Sequence, residues 1–346
     1  MEKVRIALVG AGSIGRIHAR NIKTTKDAEL AAICDIKEER AKSLSEEMKV
    51  NKIYTNYEEM IDKEQPDGVV VAVPNYLHSS VTVYALSKGA SVLCEKPMAI
   101  NSKEAEKMVE AYKKYKKTLM LGMTQRFTCE AQMLKKLIEQ GELGEIYFAK
   151  ADLLRRLGIP GMGSWFTTKK YSGGGPLIDL GPHMIDLTTW LIGFPKPKSA
   201  KGYTFSKIGV QNKGLGGWGI PEPGGPFDVE DLAVGLVEFE RGITLYVQVS
   251  WATYTDETFN VNIFGNKAGA SYHPPKIITE VEGGNVIEKN LICQQVDPYK
   301  KEIEHFVNVI RGKEAPLTAP EEGLTVMKII DAIYASAEKD KEVKIE

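Results

Sequence analysis

Val4-Arg5-Ile6-Ala7-Leu8-Val9-Gly10-Ala11-Gly12-Ser13-Ile14-Gly15 is the stretch that decides how the first third of the chain reads. Its first half is a short, nearly unbroken apolar run, as expected of a strand buried on both faces of a parallel sheet. Its second half is Gly-x-Gly-x-x-Gly. The first glycine permits a tight turn, the second lets a pyrophosphate approach the backbone, and the third allows a helix to pack closely on the strand. Phosphates then sit at that helix's N-terminus, where unpaired N–H groups and the helix dipole favour negative charge. Alone the motif is weak, but a second apolar run at 28–34 follows it and ends at Asp35. An acid at that distance is where a ribose-binding carboxylate belongs. Gly10, Gly12, Ser13, Ile14, Gly15 and Asp35 are therefore the candidate dinucleotide site. Asp35 favours NAD over NADP, because a carboxylate accepts hydrogen bonds from ribose hydroxyls and repels a 2′-phosphate.

The same beat continues outward. Apolar runs at 68–73, 91–94 and 118–121 alternate with helical stretches at 38–48, 80–88 and 102–116. Ser102 reads as a capped helix start, and the lysine cluster at 113–117 suits a helix C-terminus. A βαβ series of this kind predicts a doubly wound α/β domain over 1–124. In such a domain the carboxyl ends of strands face the ligand crevice. Two segments lie there: Pro74-Asn75-Tyr76-Leu77-His78 and Glu95-Lys96-Pro97. A lysine fixed beside a proline at a strand end is well placed to act on substrate.

After residue 125 the pattern changes. A helix is expected over 129–140, a long strand over 145–156, and helices over 182–192, 298–310 and 320–337. Residues 231–267 alternate as a meander, with Ile243, Leu245, Val247, Val249 and Trp251 out of phase with Thr244, Tyr246, Gln248 and Ser250. Strands followed by helices mark residues 125–346 as a second, α+β domain. The Gly- and Pro-rich segment 157–176, which holds Trp165 and Phe166, reads as a long functional loop rather than a packed element. It leads into Gly173-Gly174-Gly175-Pro176-Leu177-Ile178-Asp179-Leu180-Gly181-Pro182-His183. Asp179 and His183, four apart, share a face if the stretch is helical. A carboxylate beside an imidazole serves general acid–base chemistry, and the triple glycine is expected to open a path to the pair.

Composition bounds the partners. The chain has 346 residues, with Lys plus Arg 45 against Asp plus Glu 46 and a net charge of −1. Such a balance gives no reason to expect nucleic acid as a partner, and no stretch is apolar enough to expect a membrane span. The 4 cysteines lie far apart, so ordinary thiols, no metal and a cytoplasmic setting are expected. His18 is expected to pack near the nucleotide loop, and Arg155 with Arg156, at a strand end, is expected either to be solvated or to reach an acidic substrate group.

Taken together, Gly10 to Gly15, Asp35, the Pro-Asn-x-x-His at 74–78, the Glu-Lys-Pro at 95–97 and the Asp/His motif at 173–183 resemble the Gfo/Idh/MocA family, that of glucose–fructose oxidoreductase and inositol dehydrogenase. The resemblance implies an N-terminal Rossmann domain and a C-terminal domain with a large open, mostly antiparallel sheet that forms homodimers or homotetramers. It implies Lys96, Asp179 and His183 as the catalytic trio, with Pro74, Asn75, His78 and Glu95 near the cofactor. Arg126, where the family's chain crosses between domains, is a candidate for substrate or cofactor contact; apart from the resemblance, Trp165 and Phe166 are candidates either to stack on a sugar ring or to pack in the core. The activity implied is NAD-dependent hydride transfer at a sugar or cyclic-polyol hydroxyl carbon. An alternative is glycoside cleavage through transient sugar oxidation with no net redox change.

Overall fold

In the computed structural model, which describes residues 2–346, the chain opens as β1 (Val4–Val9), α1 (Ser13–Thr24), β2 (Ala28–Cys34), α2 (Glu38–Met48), β3 (Ile53–Tyr54) and α3 (Tyr57–Glu64). Next come β4 (Gly68–Val71), α4 (His78–Ser87), β5 (Ser91–Glu95), α5 (Ser102–Tyr115), β6 (Leu119–Gly122) and α6 (Cys129–Glu139). The middle holds β7 (Ile146–Leu154), α7 (Lys169–Ser172), α8 (Pro176–Asp179), α9 (Gly181–Leu191), β8 (Pro197–Phe205), β9 (Leu232–Phe239) and β10 (Thr244–Ser250). The chain ends with β11 (Thr258–Gly265), β12 (Ala268–Ser271), β13 (Lys276–Val281), β14 (Asn285–Asn290), α10 (Pro298–Ile310), α11 (Pro320–Lys339) and β15 (Val343–Lys344). These elements form two compact units, Met1–Phe127 with Val296–Leu324, and Thr128–Gln295 with Thr325–Glu346.

The first unit is a parallel sheet in the order β3-β2-β1-β4-β5-β6. Strands β4, β5 and β6 are buried at every residue, which is why their sequences read as apolar runs, with polar Ser91 and Glu95 only at the two ends of β5. The order reverses between β1 and β4, the switch point at which doubly wound sheets bind ligands. Helix α5 is capped by Asn101, whose side chain accepts from the Glu104 N–H at 3.0 Å, and not by Ser102. The domain division differs from the sequence expectation, because α10 belongs to this unit. Ile303, Phe306 and Val307 of α10 join Ile6, Leu8, Ala19 and Ile22 in one core. An amphipathic helix announces a buried face, but its sequence does not say which sheet it covers.

The second unit carries a nine-stranded sheet in the order β14-β13-β12-β11-β7-β10-β9-β8-β15, in which β7 with β10 is the parallel pair. On one face the register sets Leu245 beside Ala149, Val247 beside Ala151 and Val249 beside Leu153. Helices α8 and α9 pack on this sheet. The opposite face carries Phe148, Lys150, Tyr246 and Gln248, with the exposed Leu236 and Tyr203 on the neighbouring strands.

Two expectations fail in this unit. The segment 157–176 is packed, with Ile159, Ser164, Thr167 and Ser172 buried and a helical turn at Trp165–Thr167 ahead of α7. The Thr167 hydroxyl accepts the Gly163 N–H at 3.0 Å and donates to the Pro226 carbonyl at 2.9 Å, satisfying the buried backbone. The cysteines are also not all thiols. Cys129 and Cys293 form a disulfide across a sequence separation of 164, while Cys34 and Cys94 are buried and free. No local spacing motif signals a pair that only the tertiary fold brings together. The cytoplasmic expectation accordingly loses its cysteine argument. Among the described residues no helix is long and apolar enough to cross a membrane.

Candidate active site

Each unit carries its own cluster. In the first, Gly10 has φ +104, and a Cβ there would lie 2.2 Å from the Ala72 carbonyl oxygen. A Cβ on Gly15 would lie 1.9 Å from the Gly10 carbonyl oxygen. Packing alone therefore demands these two glycines. Gly12 is different. A Cβ there would meet nothing within 4 Å, and Gly12 is the N-cap of α1 with no side-chain cap. An open, uncapped helix N-terminus beginning at Ser13 and Ile14 is a ready anion site. Asp35, at the end of β2, is 9% exposed. Its Oδ2 accepts from the Ala11 N–H at 2.8 Å and its Oδ1 from the Lys37 N–H at 2.9 Å. Each oxygen keeps a further lone pair for ribose hydroxyls. These residues fit a bound dinucleotide.

The other strand ends are tied into the same unit. Pro74 caps a helical turn at Asn75–Leu77, Asn75 is buried, and His78 begins α4. His78 Nδ1 lies 2.7 Å from the Pro97 carbonyl oxygen, and its Nε2 lies 2.9 Å from that of Val73. Burial outweighs these carbonyls and holds the imidazole below its ordinary range. His78 thus joins the two loops. The Lys96–Pro97 bond is cis. Glu95 Oε2 accepts the Lys96 backbone N–H at 3.2 Å, while Oε1 lies 2.6 Å from His18 Nε2. His18 is fully buried, so α1, which bears the phosphate loop, is fastened to the loop that bears Lys96. Arg126 is 1% exposed, and its Nη1 donates to Glu322 at 2.6 Å and to the Leu317 carbonyl at 2.7 Å. It clamps the start of α11.

Glu302 of α10 was not anticipated. It is completely buried, and neither carboxyl oxygen makes a well-formed hydrogen bond. Burial first, and the Glu95 charge second, raise its pKa well above the carboxylate range. Burial likewise pushes the Tyr299 phenol up to about 12, with Glu95 adding to it. A sequence signal did exist: Glu302 falls in phase with Phe306 and Val309 on the buried stripe of α10.

In the second unit Asp179 ends α8 and His183 lies in the first turn of α9, with Leu180 between them in helical conformation. Every residue of α9 except His183 is buried. Asp179 is 7% exposed, and its Oδ2 accepts the indole N–H of Trp251 at 2.8 Å. Trp251 is itself fully buried, in phase with Val247 and Val249. The glycine triplet does not open a path to the pair. A Cβ on Gly174 would lie 2.0 Å from the Tyr334 hydroxyl, and one on Gly175 2.0 Å from the Glu230 carbonyl oxygen. Glu230, which no motif marked, accepts from Gly175 N–H at 3.0 Å, Leu177 N–H at 3.1 Å and the Tyr334 hydroxyl at 2.8 Å. Burial raises its pKa. The triplet lets the backbone sit down on this carboxylate, which sets where α8 begins and so where Asp179 stands.

Comparison with known proteins agrees with this anatomy. Residues 4–123 match the family described as "Oxidoreductase family, NAD-binding Rossmann fold", and residues 135–345 match its "C-terminal alpha/beta domain". The chain is 35% identical to D-glucoside 3-dehydrogenase of Escherichia coli (strain K12), covering 99% of this chain and 97% of that one. It is 26% identical to myo-inositol 2-dehydrogenase of Thermotoga maritima, covering 99% of each. Among solved structures, levoglucosan dehydrogenase in complex with NADH superposes with a TM-score of 0.89 at 20% identity, covering 100% of both chains. With both domains matched and a full-length relative at this level of identity, the chain belongs to the Gfo/Idh/MocA family of oxidoreductases.

Proposed function

We propose that the protein is an NAD-dependent dehydrogenase of a sugar or cyclic polyol. One observation carries this reading: a phosphate loop left open at Gly12 occurs in the same chain as His183, the one unburied residue of α9. The relatives named for oxidising glucosides and myo-inositol over the full length support the substrate class.

When bound, NAD supplies the acceptor for the hydride leaving the carbinol carbon. Gly10, Gly12, Ser13, Ile14, Gly15 and Asp35 would hold it, with the loops at Pro74–Asn75 and Glu95–Lys96 as its further candidate contacts. His183 accepts the substrate hydroxyl proton. The Lys96 ammonium stabilises the developing alkoxide, while Asp179, steadied by Trp251, orients His183 or holds a neighbouring hydroxyl. Proton transfer by a positioned group contributes about 10²–10⁴-fold.

The test is a panel of sugars and polyols with NAD, read as NADH formation, on the native enzyme and His183→Ala. The variant is expected to lose at least about 10²-fold in kcat with little change in NAD affinity. Near-full kcat in the variant would remove His183 from the mechanism. Release of an aglycone without net NADH would favour glycoside cleavage instead. The open sheet face of the second unit, with Phe148, Tyr246, Leu236 and Tyr203, is read as the contact between copies of the chain, since it mixes aromatic and polar groups as subunit interfaces do.

A further inference from the structure

Arg155 follows β7, and the reading above leaves it unused. Along that strand the buried residues Ala149 and Ala151 face the same side as Leu153, and alternation carries Arg155 to that side and Arg156 to the other. The two arginines, read together as either solvated or reaching an acidic substrate group, are thus separated. Arg156 is exposed, with Nη2 3.1 Å from Asp256 and Nε donating to the Thr255 carbonyl at 3.2 Å. Arg155 turns inward. Its backbone N–H donates to the Ser250 carbonyl at 3.1 Å, which continues the parallel pairing one step past Ser250 and Leu154. Arg155 and Trp251 are therefore neighbours across one strand gap, on the side where the Trp251 indole holds Asp179.

Two features of Arg155 are unfulfilled. Its Nη1 is shielded from solvent and has no hydrogen-bond partner, a costly state for a charged donor. Its guanidinium carbon lies 5.3 Å from the ring centroid of Trp218, which remains 38% exposed. Trp218 meets Phe166 edge-on at 5.0 Å, and Phe166 stacks on Trp165 at 3.8 Å. The indole is thus held in place with apolar surface open. A sugar ring answers the second feature as the structure stands, its C–H face packing on the open indole, and its oxygens accept from Nη1 once the guanidinium turns towards the ring.

The geometry points to a second-ring subsite in which Trp218 and Arg155 bind the ring joined to the sugar that Asp179 and His183 act on. The substrate class is then a glycoside of two or more rings, rather than a free monosaccharide. This rests on the sugar-dehydrogenase reading.

The test measures binding by calorimetry and turnover with NAD for glucose, a set of glucose disaccharides, glucose 6-phosphate and glucuronate. Native enzyme, Trp218→Ala, Trp218→Phe and Arg155→Met are compared. The native enzyme is expected to bind a disaccharide at least about tenfold more tightly than glucose, the scale of one good aromatic contact with a paired donor. Trp218→Ala and Arg155→Met are each expected to shrink the disaccharide-to-glucose ratio of kcat/KM about tenfold, mainly through KM, and Trp218→Phe to restore most of it. Ratios unmoved by both variants overturn the subsite. So does a native preference for the phosphate or the uronate that Arg155→Met abolishes and Trp218→Ala leaves intact, for then Arg155 serves an anion. Disaccharide binding by calorimetry without NADH formation would leave the subsite standing and count against the dehydrogenase reading alone.

Discussion

Replacing Glu302 by glutamine should make this protein more stable at neutral pH. Glu302 is completely buried, its oxygens lack well-formed hydrogen bonds, and the Glu95 carboxylate adds like charge to the cost of burial. Its pKa is therefore raised well above the ordinary carboxylate range. An acid whose pKa rises on folding stays protonated in the folded chain while the unfolded chain ionises. Its favourable contribution is whole below about pH 4.5 and drains away as pH climbs towards the folded pKa. The drain proceeds at 1.36 kcal/mol per pH unit at most, so from pH 5 to pH 7 it reaches at most about 2.7 kcal/mol. Glutamine keeps the shape of the neutral acid and has no proton to lose. Urea unfolding of native and Glu302→Gln protein at pH 5 and pH 7 reads the effect directly. The two should agree within about 0.5 kcal/mol at pH 5, and at pH 7 the variant should lead by up to that ceiling. A difference identical at both pH values, or a native protein that leads at pH 7, would refute the reasoning.

Asp35→Asn removes the charge while leaving an oxygen to accept the Ala11 N–H. At an effective dielectric near 20, a second unit charge close to the carboxylate costs on the order of 4 kcal/mol, and half of this is roughly a 30-fold preference for NAD over NADP. Titration calorimetry should show that preference in the native protein and its collapse in the variant; equal native affinities would mean that the carboxylate serves only the loop. Light scattering at micromolar concentration should show a dimer or tetramer, and replacing Tyr246 and Leu236 by lysine should reduce it. A strictly monomeric native protein would remove the sheet face as an interface.

Much of the architecture is legible in the order of residues. A parallel strand buried on both faces must be apolar through most of its length, and a tight phosphate turn must be glycine where a Cβ would strike backbone. Local sterics thus wrote β1, β4, β5 and the loop at Gly10–Gly15 into the chain. The alternation from Ile243 to Trp251 likewise declared a half-buried strand, and the acid and imidazole at 179 and 183 declared themselves by spacing. Only the tertiary structure could decide the rest, because it depends on which distant surfaces meet. The sequence does not say that α10 covers the first sheet, that Cys129 finds Cys293, or that Glu230 and Tyr334 take up the space left by the glycine triplet. It marks Arg126 and His78 as chemically capable, but not that Glu322 stands beside the one and the carbonyls of Pro97 and Val73 beside the other. Arg155 went the other way: alternation already set its face, yet its worth appears only once Trp251 and Trp218 stand beside it. Spacing along a chain reports what a residue can do. Whether its hydrogen-bonding capacity is spent inside the fold or left for a ligand is settled by neighbours that long-range packing supplies.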